Sequence, residues 1–77
     1  MSGWHSARVA YRLRTEKHWN QAELANLAGV GQGQVSNLEK GKKSFNLMTL
    51  LKIIKALGLL ASEFFLLVEQ SQSEEQT

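Results

Sequence analysis

The chain has 77 residues and a formal net charge of +2, and it contains neither cysteine nor proline. This length suits one domain near the lower limit for an unassisted hydrophobic core, and without cysteine it can form no disulfide bond or thiolate metal site. No apolar run is long enough to span a membrane, and the N-terminus lacks a signal peptide's apolar core, so we expect a cytoplasmic protein without a membrane partner.

The charge is divided unevenly along the chain. Residues 1–55 carry all nine lysines and arginines against three glutamates, a balance of +6, and residues 56–77 carry four glutamates and no base, a balance of −4. A basic body with an acidic end indicates a polyanionic partner for the first part. A solvated basic surface would give the same balance, so charge alone favours DNA only slightly.

The periodicity of the sequence indicates helices. No stretch alternates apolar and polar residues with a period of two, so we predict an all-α fold, a compact bundle of about five helices. After a flexible N-terminus of residues 1–5, a first helix is predicted from Ser6 to Lys17. Ala10 and Leu13 form its inner face, and Val9 is expected at the periphery.

Two short amphipathic segments then flank a glycine-centred break within residues 21–40, a connection typical of two helices that meet at an angle. Asn20 is placed to cap the first helix, with Glu23 three residues into it reaching back. Gly29 follows at a helix end, where a positive φ is commonly required.

The second helix of the pair is predicted over residues 32–40, with Val35 and Leu38 facing inward at the spacing i, i+3. Short neutral polar side chains then lie on its outer side: Gln32, Ser36 and Asn37, with Gln34 at the margin. Amide groups both donate and accept, as the adenine edge in the major groove requires, although solvated surface residues would show the same pattern.

The remaining chain predicts two more helices. Asn46 can cap a helix from Leu47 to Leu57 whose expected buried stripe omits Met48 and Ile53 and consists of Leu47, Leu50, Leu51, Ile54 and Leu57. A last helix begins near Ser62, and residues 69–77 are expected to form a disordered acidic tail.

The last helix contains five consecutive apolar residues, 64–68, which one helix face cannot bury. We therefore predict that a second copy of the protein covers part of them. The predicted dimer interface consists of Leu60, Phe64, Phe65, Leu66 and Leu67.

In register over roughly residues 6–65, these features resemble the lambda-repressor-like helix-turn-helix proteins of the phage repressor, Cro and Xre group. The family's marked positions are occupied by Gln21, Ala25, Gly29, Val35 and Leu38. The resemblance implies that residues 6–68 form a DNA-binding domain with a C-terminal dimerisation helix. It implies a sequence-specific transcriptional regulator, such as a repressor or a restriction–modification controller protein, that acts as a homodimer on a two-fold operator.

The resemblance also assigns roles within the DNA-binding surface. The helix over residues 32–40 becomes the recognition helix, with base-reading candidates Gln32, Gln34, Ser36 and Asn37. Arg14 is expected to pair with Glu39 and can still turn a donor toward a phosphate. The phosphate candidates are Gln21, Arg14, Lys40, Lys42, Lys43 and Ser44.

Two glycines depart from the family pattern at the start of the recognition helix. Gly31 stands where the family usually has a Ser or Thr cap, and Gly33 stands where a base-reading side chain often lies. A glycine within a helix costs about 1 kcal/mol relative to alanine. We therefore expect a frayed helix start, fewer direct base contacts than in relatives, and a larger contribution from DNA shape.

A different class of function stays open, namely an antitoxin or protein-interaction module whose main partner is a toxin or a co-regulator such as RNA polymerase. The identity of the neighbouring genes would discriminate between these readings. An enzyme is not expected, because GVGQG follows a helix rather than a strand and no cluster of histidines and carboxylates is present. No cofactor or metal is expected either, since His5 and His18 lack partners at metal-ligand spacing.

Overall fold

A computed structural model describes residues 3–41 and 46–76, with side chains for residues 6–41 and 46–70. Within these ranges every regular element is an α-helix, which confirms the predicted all-α bundle of about five helices. The order is α1 (Gly3–Glu16), α2 (Gln21–Ala28), α3 (Gln32–Glu39), α4 (Leu47–Ala56) and α5 (Ala61–Gln76). None of these described helices is long and apolar enough to cross a membrane.

Short-range hydrogen bonds set the ends of α2 and the start of α4. The Asn20 side chain accepts the Glu23 backbone N–H at 2.8 Å, and the Glu23 carboxylate accepts the Asn20 N–H at 2.8 Å, which completes the predicted capping box. Asn46 caps α4 in the same way by accepting the Thr49 N–H at 2.8 Å. Gly29 ends α2 with a φ of +72°, the left-handed conformation that glycine adopts without steric penalty.

A single core lies where the helices meet, with α3 packed on α1, α2 and α4, and α5 packed on α1 and α4. Ala25, Val35 and Leu38 are buried there, which confirms the predicted inward positions of Val35 and Leu38. Val9 is also buried, so its predicted peripheral position was wrong. The core consists of Val9, Ala10, Leu24, Ala25, Val35, Leu38, Leu50, Ile53, Ile54, Leu57, Phe64 and Val68.

The buried stripe of α4 differs from the predicted one at three positions, one of which is Leu51, which is only partly buried against the core. Ile53, predicted outside the stripe, is fully buried, whereas Leu47, predicted inside it, is 64% exposed. In the first turn the buried positions are Thr49 and Leu50, which leaves Leu47 at the opposite edge of the buried face. The stripe therefore follows positions 50, 53, 54 and 57, the i, i+3, i+4, i+7 pattern of one helix face.

Both terminal helices are longer than the sequence predicts. α1 begins at Gly3 rather than Ser6, and α5 continues as helix through Gln76, although residues 69–77 are expected to be disordered. Glutamate and glutamine are good helix formers and no glycine or proline interrupts this tail, so the backbone can continue the helix beyond the core. The division into a flexible N-terminus, a domain and a disordered tail stays a prediction.

Substitutions in α4 test the corrected stripe. We expect Ile53→Ala to lower the free energy of unfolding by about 2–5 kcal/mol, because it removes fully buried atoms and leaves a cavity. Leu47→Ala is the matched control and should change it by no more than about 0.5 kcal/mol. Urea denaturation followed by circular dichroism measures both, and equal losses would contradict the exposed position of Leu47.

Candidate nucleic-acid interface

The α2–α3 pair presents one side of α3 to solvent. Val35 and Leu38 are buried, while Gln32, Gly33 and Lys40 are exposed. Ser36 and Asn37, one turn further along the helix, are half-buried. The structure thus leaves Gln32 accessible to solvent and Ser36 and Asn37 partly accessible, on the part of α3 that is not buried with Val35 and Leu38.

The C-terminal end of α3 is joined to α1 by a buried ion pair. Arg14 donates from Nε to Glu39 Oε2 at 2.7 Å and from Nη2 to Glu39 Oε1 at 3.0 Å, and the two side chains are only 10% and 5% exposed. A third donor, Nη1, binds the Trp19 carbonyl oxygen at 2.6 Å. The predicted pairing of Arg14 with Glu39 is therefore present in bidentate form.

The contact with Glu39 favours the charged form of this guanidinium. Its hydrogen bond to Glu39 raises the pKa of Arg14 above the ordinary value, burial acts in the opposite direction, and the negative charge of Glu39 adds to the increase. The Arg14 Cζ atom also lies 5.3 Å from the centre of the Tyr11 ring, within cation–π range.

Gln21 adds α2 to the same cluster. Its Nε2 atom donates to Glu39 Oε1 at 3.1 Å, so the carboxylate connects the end of α1, the start of α2 and the end of α3. Three donors of Arg14 and one N–H of Gln21 are directed into the protein. A phosphate contact by either residue stays a prediction, and Gln21 keeps a second amide N–H for it.

The other phosphate candidates fall in two groups. Lys40 is exposed immediately after α3. Lys42, Lys43 and Ser44 lie outside the described residues, so their predicted role stays a prediction.

Gln34 has a local structural role that was not predicted from the sequence. Although the residue is exposed, its Oε1 accepts the Gly31 backbone N–H at 3.0 Å and its Nε2 lies 3.4 Å from Thr49 Oγ1. A glutamine three residues after a helix cap is a known back-capping signal, and that signal was present in the sequence. A base contact by Gln34 stays a prediction, whereas its contacts within the protein are visible.

The predicted dimer residues separate into surface and core. Leu60 and Leu66 are 69% and 54% exposed, and Phe65 and Leu67 are half-buried against the core. Phe64 is fully buried, which corrects its assignment to the interface. The reason is helical spacing, because Phe64 and Val68 at i and i+4 form the inward face of α5.

Two helices joined by a tight glycine turn, with the second held by a buried ion pair and exposing polar side chains, define a helix-turn-helix DNA-binding domain. Residues 11–64 match the "Helix-turn-helix" family HTH_3. The chain belongs to this family of Xre-type DNA-binding transcription regulators, and the predicted resemblance is confirmed.

Two relatives are similar over much of this chain. The competence pilus inhibition repressor of Acinetobacter baylyi is 32% identical over 62 residues, which cover 80% of this chain and 56% of that protein. Antitoxin HipB of Escherichia coli is 36% identical over 47 residues, which cover 61% of this chain and 50% of that protein. The chain thus spans about half the length of these two relatives.

A solved structure is similar to the whole fold. The crystal structure of the wild-type restriction-modification controller protein C.Esp1396I superposes with a TM-score of 0.83, covering 94% of each chain at 21% sequence identity. This match supports the five-helix arrangement.

The Arg14–Glu39 pair yields a stability prediction. Glu39→Gln should lower the free energy of unfolding by about 3–5 kcal/mol, because it leaves the buried Arg14 charge without its counter-charge. Glu16→Gln, at an exposed position, should change it by less than about 0.5 kcal/mol. Thermal denaturation of both variants is the measurement, and an unchanged melting temperature for Glu39→Gln would show that the pair is not structural.

Proposed function

We propose that the protein is a sequence-specific transcriptional regulator that binds double-stranded DNA as a homodimer on a two-fold operator and acts in the cytoplasm. The observation that carries the proposal is the way α3 is held. Its C-terminal end is fixed to α1 and α2 through Glu39, and its outer side carries neutral polar groups. A rigidly held helix with polar side chains toward solvent is what readout in the major groove requires.

Base reading is assigned to Gln32 and Asn37, with Ser36 beside them. Gln32 is exposed in the first turn of α3, where recognition helices meet base edges, and Asn37 follows on the next turn. Their amides can form paired hydrogen bonds with adenine, and the Ser36 hydroxyl can bond to more than one base.

Phosphate binding is assigned to charged groups around this helix. Lys40 is exposed at its end, and Lys42 and Lys43 follow in the sequence. Lysine is a flexible point charge, so such contacts contribute affinity and orientation without distinguishing bases.

Self-association is assigned to α5 and the residue before it. Leu60 and Leu66 are exposed, and Phe65 and Leu67 are half-buried, so apolar area remains outside the monomer's core. α5 packs on α1 and α4. A second copy that covers α5 would leave α3 accessible, as a two-fold operator requires.

An antitoxin or protein-interaction module is the second candidate function, and a surface groove favours it. A groove of about 480 Å³ lies between α2 and α4 and is lined by Leu27, Ala28, Gly29, Lys52, Lys55 and Ala56. Leu27 is largely exposed there, beside two exposed lysines. This combination fits a protein segment with one apolar side chain and carboxylates. One relative is named as an antitoxin, so a toxin-like gene next to this one, with a purified product that binds the chain, would favour this candidate.

The proposed regulator is tested by separating base contacts from phosphate contacts. Gln32→Ala and Asn37→Ala should each remove about 1–3 kcal/mol of discrimination at one base pair per half-site. Lys42→Ala and Lys43→Ala should weaken binding to every sequence alike. Each should also reduce by about one the steepness with which the logarithm of the binding constant falls against the logarithm of the salt concentration, called the salt slope below. The measurement is binding to all single-base variants of an operator selected from random DNA, at two salt concentrations.

Lys55→Ala is the matched control for the lysines, because Lys55 lies in the last turn of α4 and lines the groove between α2 and α4. Lys55→Ala should leave both the preferred bases and the salt slope of binding unchanged. If the lysine variants changed the preferred bases and the Gln32 and Asn37 variants did not, the assignment of base reading to α3 would be refuted.

The proposed dimer is tested at Leu66. Leu66→Glu should shift a dimer at micromolar concentration toward monomer and weaken operator binding, because it places a charge in an apolar interface. Leu27→Glu is the matched control, a comparably exposed leucine on α2, and should leave self-association intact. Sedimentation measures both variants, and a wild-type monomer that binds a single half-site with full affinity would contradict the dimer.

A further inference from the structure

The N-terminal end of α3 lacks the features that usually order a helix start. Gly31 occupies the cap position and offers no side chain to accept a backbone N–H. Gly33 lies within the first turn, and a Cβ placed there would meet no atom within 4 Å. Glycine is the poorest helix former after proline, so this turn needs support from elsewhere.

Gln34 supplies that support from within the helix. The Gly31 N–H can only donate, so the atom that faces it at 3.0 Å must be the oxygen of the Gln34 amide. The NH₂ group of that amide is therefore directed away from Gly31 and toward Thr49 Oγ1, at 3.4 Å. Both ends of one amide are directed at protein groups, which orients it for support of the helix rather than for a base edge.

Thr49 is held in place on α4 by burial and by a backbone hydrogen bond. It is buried in the first turn of α4, and its backbone N–H is bonded to the Asn46 side chain at 2.8 Å. Through Gln34, the otherwise uncapped start of α3 is connected to a capped and buried turn of the neighbouring helix. The contact lies two residues from Gln32, the exposed base-reading candidate.

We propose that Gln34 is a positioning residue that replaces the missing cap of α3 and holds the first turn against α4, so that Gln32 meets DNA in one orientation. This inference rests on the proposed function, in which α3 is the recognition helix. It reassigns Gln34 from the base-reading set and accounts for how a recognition helix with glycine at its cap and again in its first turn keeps a defined start.

The first arm of the test uses the free protein. In Gln34→Ala, the Gly31 amide should exchange its hydrogen about three- to tenfold faster, the range that one or two ordinary hydrogen bonds account for. Gly31 has φ −78° and ψ 150°, a conformation open to any residue, so serine fits there and can cap the helix itself. In the double variant Gly31→Ser with Gln34→Ala, the serine hydroxyl should therefore slow exchange of the amides at positions 33 and 34, whereas the amide at position 31 should stay fast.

The second arm measures binding to the selected operator and its single-base variants. Gln34→Ala should flatten the preference at the base pair that Gln32→Ala also flattens, with an affinity loss of about three- to tenfold for the preferred site and none for random DNA. Thr49→Val, which keeps the shape and removes the hydroxyl, should show a smaller loss at the same base pair. Gly31→Ser should restore the preference in the Gln34→Ala background.

A control for general destabilisation is Val68→Ala, which trims the buried face of α5, outside the contact between α3 and α4, and should leave base preference unchanged. If Gln34→Ala instead flattens a different base pair from Gln32→Ala, and Gly31→Ser does not restore it, Gln34 reads that base and the inference is overturned. Unchanged exchange at Gly31, with normal DNA selection, overturns this inference alone. Failure of the wild-type chain to select any DNA sequence overturns the proposed function and the DNA role of Gln34 together.

Discussion

The arrangement of this domain depends on the buried contact between Arg14 and Glu39. A carboxylate at the end of α3 accepts two hydrogen bonds from a guanidinium at the end of α1 and one from Gln21 at the start of α2. Buried charges are tolerated only when their partners are well placed, so this contact penalises other orientations of α3. The ion pair thereby gives α3 a defined position in a hydrophobic bundle that could otherwise tolerate small shifts.

The two ends of α3 are held by unequal means. The C-terminal end has charge-assisted, buried hydrogen bonds, whereas the N-terminal end has two glycines and the neutral, exposed amide of Gln34. Charge-assisted hydrogen bonds are roughly twice as strong as neutral ones, and burial shields them from competing water. The first turn is therefore the end held by the weaker contacts, and it is the end that carries Gln32.

The fold also separates the surfaces that its proposed partners would use. α3 carries the polar side chains proposed to meet DNA, α5 carries exposed apolar groups, and the groove beside Leu27 lies between α2 and α4. Because α5 packs on α1 and α4 instead of the outer side of α3, self-association and DNA binding need not compete. All nine lysines and arginines lie in residues 1–55, the part of the chain that includes α3 and excludes α5.

By itself, the sequence determined the features that depend on residues close together along the chain. The Asn20 capping box and the turn at Gly29 depend on residues within four positions, so their chemistry can be read directly from the chain. The ion pair joins residues far apart in the sequence, and only the family resemblance indicated it. The tertiary structure alone decided that Ile53 is buried and Phe64 belongs to the core, because burial depends on which neighbouring helix covers a residue. For the same reason the contact between α3 and α4 through Gln34 could not be foreseen, since its acceptor lies on another helix whose placement the local pattern does not contain.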